Sequence, residues 1–450
     1  MKIAYSWLKD YLKTNKSADE LSKILTDIGL EVESVEQFES IKGGLKNIVI
    51  GEVLTKTKHP DANKLSLTTV NIGSAVLNIV CGASNVEAGQ KVLIATIGTV
   101  IHKSNECFTI QKTKIRGAVS EGMICAEDEI GLGESHSGIM VLPSDAPVGL
   151  PASQYFNVIE DTVFEIGLTP NRSDATSYIG VAKDLYAALY CKNLINSDKE
   201  PASLFLNIPI IDSFSPNLDN INPEIIIEDK QACHRYSGML IKNIKVSSSP
   251  DWLKNKLLAS GIRSINNIVD VTNFVMLETG QPLHAFDFDK IKGNKVIIKK
   301  YENPFKFVTL DGNEREMTTD DLMICNAEGP MCIAGIFGGQ DSGVTDETKT
   351  IFLESANFDP KSIHKSSKYH SLTTDSSFRF ERGADLEITI FALKRAALIL
   401  SEISGKDANL YFSDITDIYP KPVQKTVIKA NYNNIFRLIG NSIDKNIIIK

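Results

Sequence analysis

NIVIGEVLTKTK, residues 47–58, opens the passage whose reading decides the fold, and LSLTTVNIG (65–73), AVLNIVCG (75–82), KVLIATIG (91–98) and KTKIRG (112–117) follow it at short intervals. Each run carries the apolar and β-branched residues of a strand, and Gly, Asn or Pro separates it from the next. Short strands at this spacing, filling residues 41–150, predict a small β-barrel. The flanks read differently. Residues 1–40 are patterned as two short helices and a strand. Trp7, Leu8, Tyr11 and Leu12 share a helical face, Ser17 to Glu20 forms a capping box before LSKILTDIG, and Gly29 ends that helix ahead of LEVESVEQF. Helical patterning returns over Ser173 to Leu194, so the barrel is expected as an insertion between residues 1–40 and 151–195 of one small, split, mainly helical domain.

Downstream, Asn196 to Asn222 is rich in Ser, Pro, Asn and Asp and reads as a linker. Residues 213–400 then mix strands (EIIIEDK, YSGMLIKNIKV, NKVIIKKY) with helices (SPDWLKNKLLASG, LEITIFALKRAALILSEIS), an α+β pattern. After the breaker YPKP (419–422), residues 421–450 open like the start of a further helical domain and stop, too short a piece to close a core of its own. The whole reads as an α+β multidomain chain.

Composition excludes several classes. A net charge of −8 removes proteins that coat nucleic acid by charge alone, because neutralising phosphates needs a basic face. Seven cysteines without a CxxC pair indicate neither a disulfide framework nor a zinc finger, and the chain reads as cytoplasmic with reduced thiols. No apolar run approaches the roughly 20 residues of a membrane span, and Lys9 and Asp10 interrupt the N-terminus before a secretory core forms.

Two neighbouring stretches carry polar groups within apolar surroundings: NNIVDVTNF (266–274) and QPLHAFD (281–287). Such a run is either a satisfied core or a pocket. Asn and Asp also make turns and caps, and His284 is equally a core histidine capped by Asp287. FRFER (378–382) matches an F-R-x-E pattern used to hold ATP, but no Gly-rich segment ending in Arg follows it, and the chain has neither a GxxxxGK loop nor a strand-borne GxGxxG. Arg379 and Arg382 are therefore read as structural partners of Glu381 and Asp385, and Gly335, Gly338, Gly339 and Gly343 as tight turns. No HExxH-like spacing assigns a metal.

MKIAYSWLKDYL, HPDANKLSLTTVNIG with its CGA sequel, GLTPNRSDATSYIGVAKDL, NNIVDVTNFVMLETGQPLHAFD and DSSFRFERGAD, in this order, resemble the N-terminal part of the bacterial phenylalanyl-tRNA synthetase β-subunit family. The resemblance runs from end to end of the chain and covers about the first half of a family member. It implies that the barrel is an OB-fold of the tRNA-binding kind, with Lys56, Lys58, Lys64, Lys112, Lys114 and Arg116 as candidate tRNA contacts. Between residues 41 and 150, however, 10 Lys plus Arg face 10 Asp plus Glu and Phe108 is the single aromatic ring, so no stacking platform is evident and a barrel used for spacing remains the alternative.

For residues 213–400 the resemblance implies an editing domain that hydrolyses tyrosine wrongly attached to the phenylalanine tRNA. A synthetic pocket shaped for an apolar ring rejects an added hydroxyl poorly, so a second site must select for it. Glu354 matches the position that accepts a hydrogen bond from the tyrosine hydroxyl. His284 matches a pocket histidine suited to orienting or activating water, and Thr272 and Asn273 match pocket-lining positions that bind substrate or water. Gly335, Ser376 and Arg263 are expected around the pocket, Ser376 beside Thr373 and Thr374. With no GxSxG elbow, water is the expected nucleophile. The implied parent enzyme joins phenylalanine to its tRNA with ATP and Mg2+, as a heterotetramer of two α and two β subunits. Its β-subunit magnesium cluster would lie just past Lys450, so neither cofactor is expected on this chain. A non-catalytic scaffold and tRNA-docking module with a vestigial pocket is the alternative reading.

Overall fold

The computed structural model describes residues 1–103, 106–197, 204–219, 221–405 and 408–449. It divides into two compact units: Gln37–Thr162, and Met1–Glu36 together with Val163–Lys450. The chain thus leaves the larger unit once and returns to it.

In the smaller unit the antiparallel sheet runs, in spatial order, Gly122–Ile124, Lys91–Thr96, Ile48–Lys58, Ser66–Asn71, Val76–Cys81. Its two outer strands meet: the Glu121 amide donates to the Asn78 carbonyl at 2.8 Å, and the Val80 amide donates to the Ser120 hydroxyl at 3.1 Å. That contact nearly closes the sheet and covers the strand edges that would otherwise pair with other chains. Both faces of the two central strands are buried. Val53, Val92 and Ile94 enter one core cluster, while Ile48, Ile50, Leu93 and Ala95 enter another. Successive side chains point to opposite faces, so VLIA reads as a continuous apolar run because both faces are covered.

In the larger unit the N-terminal helices Tyr5–Tyr11 and Ala18–Asp27 accompany a three-stranded sheet of Lys2–Ala4, Glu160–Gly167 and Glu31–Glu39. This piece combines helices with a sheet, as the two short helices and a strand read over residues 1–40 suggest. The Ser17 and Glu20 capping box forms as read. The described part of the expected linker is not loose. Strand Phe205–Leu206 pairs with Leu12–Lys13, and the Asn217 side chain donates to the Leu410 carbonyl at 3.1 Å. Residues 198–203 and 220 of that stretch lie outside the described residues.

Two sheets face each other across the main core. One orders Leu283–Asp287, Thr350–Phe358, Cys233–Lys242 and the short strands Tyr411–Phe412 and Thr416–Ile418, all antiparallel. The other orders Glu224–Ile227, Lys295–Lys299, Met323–Cys325, Pro330–Ile333 and Phe337–Gly338. Tyr236, Leu240, Phe286, Phe352, Ile298, Ile324 and Ile333 meet between them. Gly238 is required there, because a Cβ on it would lie 2.2 Å from the Phe352 ring. From Lys421 to Ile449 no described residue is buried. No helix among the described residues is long and apolar enough to cross a membrane.

Candidate active site

NNIVDVTNF folds as the first turns of helix Asn267–Thr279, not as a turn at a strand end. The Asn266 side chain caps it by accepting from the Ile268 and Val269 amides, at 3.1 and 2.9 Å. Asn267 accepts from the Ser247 amide and donates to the Lys245 carbonyl. Asp270, fully buried, accepts from the Ser249 and Ser264 hydroxyls and the Ile265 amide. The motif's polar groups therefore fasten the segment 245–265 to the helix. Asn266→Ala should cost about 1–2 kcal/mol through the lost cap, measured as a lower urea midpoint.

The cavity lies one element further on. It is lined by Pro282, Leu283, His284, Cys332, Gly335, Ile336, Phe337, Gly338, Glu354, Ser376 and Phe380, with a volume of about 60 Å³. His284 and Glu354 are directly paired across neighbouring antiparallel strands, so their side chains share one face. Strand Leu283–Asp287 thus brings His284 to the cavity wall. Glu354 is 5% exposed, and among the described residues its hydrogen-bond partner is Tyr236, whose hydroxyl donates to Oε2 at 3.1 Å. Burial penalises the charged carboxylate and pushes its pKa up to about 8, against a smaller opposing effect of the Tyr236 hydrogen bond. Burial also drives the His284 imidazole down to about 4, so it is neutral at physiological pH. Its Nε2 is buried without a protein partner, and its ring meets Phe286 edge-on at 4.5 Å. A neutral imidazole and a neutral acid on one small cavity can orient water and recognise a hydroxyl.

Gly335 and Ser376 line this cavity; Thr272, Asn273 and Arg263 do not. The Thr272 hydroxyl is spent on the Val269 carbonyl at 2.7 Å, Asn273 is half-buried on the same helix, and Arg263 is exposed. That helix reaches the site through Met276, whose Sδ lies 3.7 Å from the Ser376 hydroxyl. Ser376 stands at the start of helix Asp375–Arg382, capped by Thr374. The same helix corrects the reading of FRFER. Arg382 pairs with Glu381 as expected, but Arg379, 1% exposed, pairs with Asp375 and donates to the Thr176 carbonyl. Gly335 has φ +69, and a Cβ there would lie 2.8 Å from both Phe358 and Phe380. Gly335→Ala should therefore cost about 2–4 kcal/mol from backbone strain and overpacking, seen in urea unfolding. Tyr236 and Cys332 escaped sequence reading because only the neighbouring strand brings the first to Glu354 and only the facing sheet brings the second.

In the barrel unit, Lys58, Lys64, Lys112, Lys114 and Arg116 are exposed, while Lys56 is paired with Glu87 at 2.7 Å and Lys112 with Glu121 at 2.9 Å. Among the described residues no group of His, Cys, Asp and Glu is arranged to hold a metal ion.

Known proteins are similar to this chain in sequence. The B3/4 domain family matches residues 232–405, which contain the cavity, and the family described as "Putative tRNA binding domain" matches residues 48–151. The chain is 49% identical over 444 residues to the phenylalanine--tRNA ligase beta subunit of Bacteroides fragilis, covering 98% of this chain and 53% of that one. With the same subunit of Porphyromonas gingivalis it shares 48% over 450 residues, covering 100% of this chain and 53% of that one. The chain is thus similar over nearly its whole length to phenylalanine--tRNA ligase beta subunits. It spans about half the length of the curated beta subunits it matches, and Geobacter metallireducens provides a more distant one, 42% identical over 442 residues, covering 98% of this chain and 52% of that one. The tRNA-binding family match falls within the barrel unit, and the B3/4 match spans most of the two facing sheets.

Proposed function

We propose that this chain carries the editing site of a phenylalanine--tRNA ligase, hydrolysing tyrosine mis-attached to the phenylalanine tRNA. The observation that supports it is the cross-strand pair of His284 and Glu354 on one cavity, within the B3/4 match. Water attacks the ester carbonyl. A C–O bond to water forms, the bond to the ribose oxygen breaks, and the proton passes from water to the leaving oxygen. His284 orients that water through its unpartnered Nε2. Glu354 recognises the phenol. Phenylalanine would leave the cavity-facing oxygen of this buried carboxyl without a partner, a loss of about 1–3 kcal/mol that spares the correct product. A cavity of about 60 Å³ seats one or two waters, so the tyrosine ring requires the site to widen on binding.

In the parent enzyme this chain would work with an α subunit, as two α and two β, using ATP and Mg2+ in the cytoplasm. Its barrel would be an OB-fold offering Lys58, Lys64, Lys112, Lys114 and Arg116 to tRNA. Incubating the chain with tyrosyl- and phenylalanyl-tRNA of the phenylalanine acceptor tests the reading. The expected result is release of tyrosine, reduced about 100-fold in Glu354→Ala and at least 10-fold in His284→Ala. Release equal to buffer would overturn it in favour of a scaffold with a vestigial pocket.

A further inference from the structure

Glu354 has two carboxyl oxygens and the fold treats them differently. Oε2 receives the Tyr236 hydroxyl at 3.1 Å, and Tyr236 is wholly buried and absent from the cavity wall. Glu354 itself lines the cavity, and Oε1 is the oxygen that Tyr236 does not engage. We infer that Tyr236 is a positioning residue: it holds Glu354 by Oε2, so that Oε1 alone is presented to the incoming phenol. This rests on the editing reading above. The resident contact is also a template for the substrate's own, since in each a phenol meets the same carboxyl group.

With Tyr236 as the donor, Oε2 is the carbonyl-like oxygen and the proton of the neutral acid falls on Oε1. At neutral pH the group facing the cavity is then an O–H that donates to the phenolic oxygen of tyrosine. Phenylalanine offers no acceptor there, and discrimination follows without a buried charge. Above the carboxyl's midpoint, Oε1 becomes an acceptor and the same phenol donates to it. The titratable groups packed around Glu354 are Tyr236 and Cys233 on one strand, His284 on another and Cys332 on the facing sheet. Burial raises both thiols and Tyr236 well above their ordinary values and keeps His284 uncharged. Glu354 is thus the group of this set that titrates near neutrality.

The strand geometry supports a dedicated role for Tyr236. Tyr236 and Gly238 occupy the same face two residues apart, and Gly238 pairs directly with Glu354. The missing side chain at Gly238 admits the Phe352 ring, which occupies the space beside the Tyr236–Glu354 contact. Replacing Tyr236 by phenylalanine removes one hydroxyl and preserves the ring that fills this core.

Tyr236→Phe is compared with wild type in two measurements. The first needs no substrate: the difference in unfolding free energy between each protein and its Glu354→Gln derivative is followed from pH 5 to 9, giving the carboxyl's midpoint. Loss of a donor to Glu354 should move that midpoint upward by about one unit; an unchanged midpoint overturns the inference. The second is the ratio of tyrosyl- to phenylalanyl-tRNA hydrolysis. A fall of at least 10-fold, carried by KM for the tyrosyl ester with kcat for it retained, supports positioning, and a wild-type ratio in the variant overturns it. Should wild type hydrolyse neither ester, the editing reading fails by itself, and the midpoint still decides whether Tyr236 holds Glu354.

Discussion

Glu278→Ala is expected to destabilise the larger unit by about 3–5 kcal/mol, one of the largest effects of any single change in this protein. Glu278 is completely buried in helix Asn267–Thr279. Its carboxylate accepts two bonds from Arg395, at 2.8 and 2.9 Å, and one from the Tyr11 hydroxyl at 2.7 Å. The Trp7 indole donates in turn to the Tyr11 oxygen at 2.9 Å. One carboxylate thereby ties the first helix of the chain to the helix that precedes the site and to the long helix Thr389–Ser404. Removing it leaves a guanidinium with no counter-charge and a phenol with no acceptor, which costs more than the pair itself contributes. Both tryptophans of the chain, Trp7 and Trp252, belong to this unit, and both contact Phe274. Tryptophan fluorescence in urea therefore reports this unit alone. A loss below about 1 kcal/mol would show that the triad is not the tie its geometry indicates.

Glu354→Gln is expected to reshape the dependence of stability on pH. In the folded chain the carboxyl holds its proton up to about pH 8, against an ordinary value of 4.5. Between those two values the unfolded state binds fewer protons than the folded one, so wild-type stability falls as pH rises through that window. The integrated loss is on the order of 3–5 kcal/mol by pH 8. Glutamine does not titrate, so the variant should gain on wild type by that amount between pH 4.5 and 8. His284 has the opposite sign. Its folded value near 4 lies below its ordinary 6.5, so its contribution is lost as pH falls from 6.5 towards 4. The two arms offset one another between 4.5 and 6.5, which makes pH 6.5–8 the window in which the glutamate is read cleanly. A variant-minus-wild-type difference that stays constant from pH 5 to 8 would exclude a neutral buried carboxyl.

Local chemistry made much of this legible before any coordinates. The barrel strands follow from alternation and turn residues, and the capping box at Ser17 and Glu20 from its spacing; the apolar run around His284 shows an unexplained polar group but not the strand that carries it. The failures share a cause. NNIVDVTNF contains as many hydrogen-bonding groups as a pocket wall would, and nothing local to it says that Asn267 and Asp270 are already satisfied by Ser247, Ser249 and Ser264. Arg379 was assigned to near sequence neighbours, while part of its bonding goes to Thr176, far upstream. Tyr236 carried no signal at all, being one more aromatic in an apolar strand.

The sequence by itself determined the barrel strands and the capped N-terminal helix, because strand period, helix caps and turn residues act within a few positions of one another. Tertiary structure alone decided which polar groups are consumed and which remain available. His284 and Glu354 meet only through the register of two strands distant in sequence, and a register shift of one residue would send their side chains to the opposite face. Their charge states are decided at the same level, since burial by the facing sheet, which no residue shows on its own, keeps both neutral.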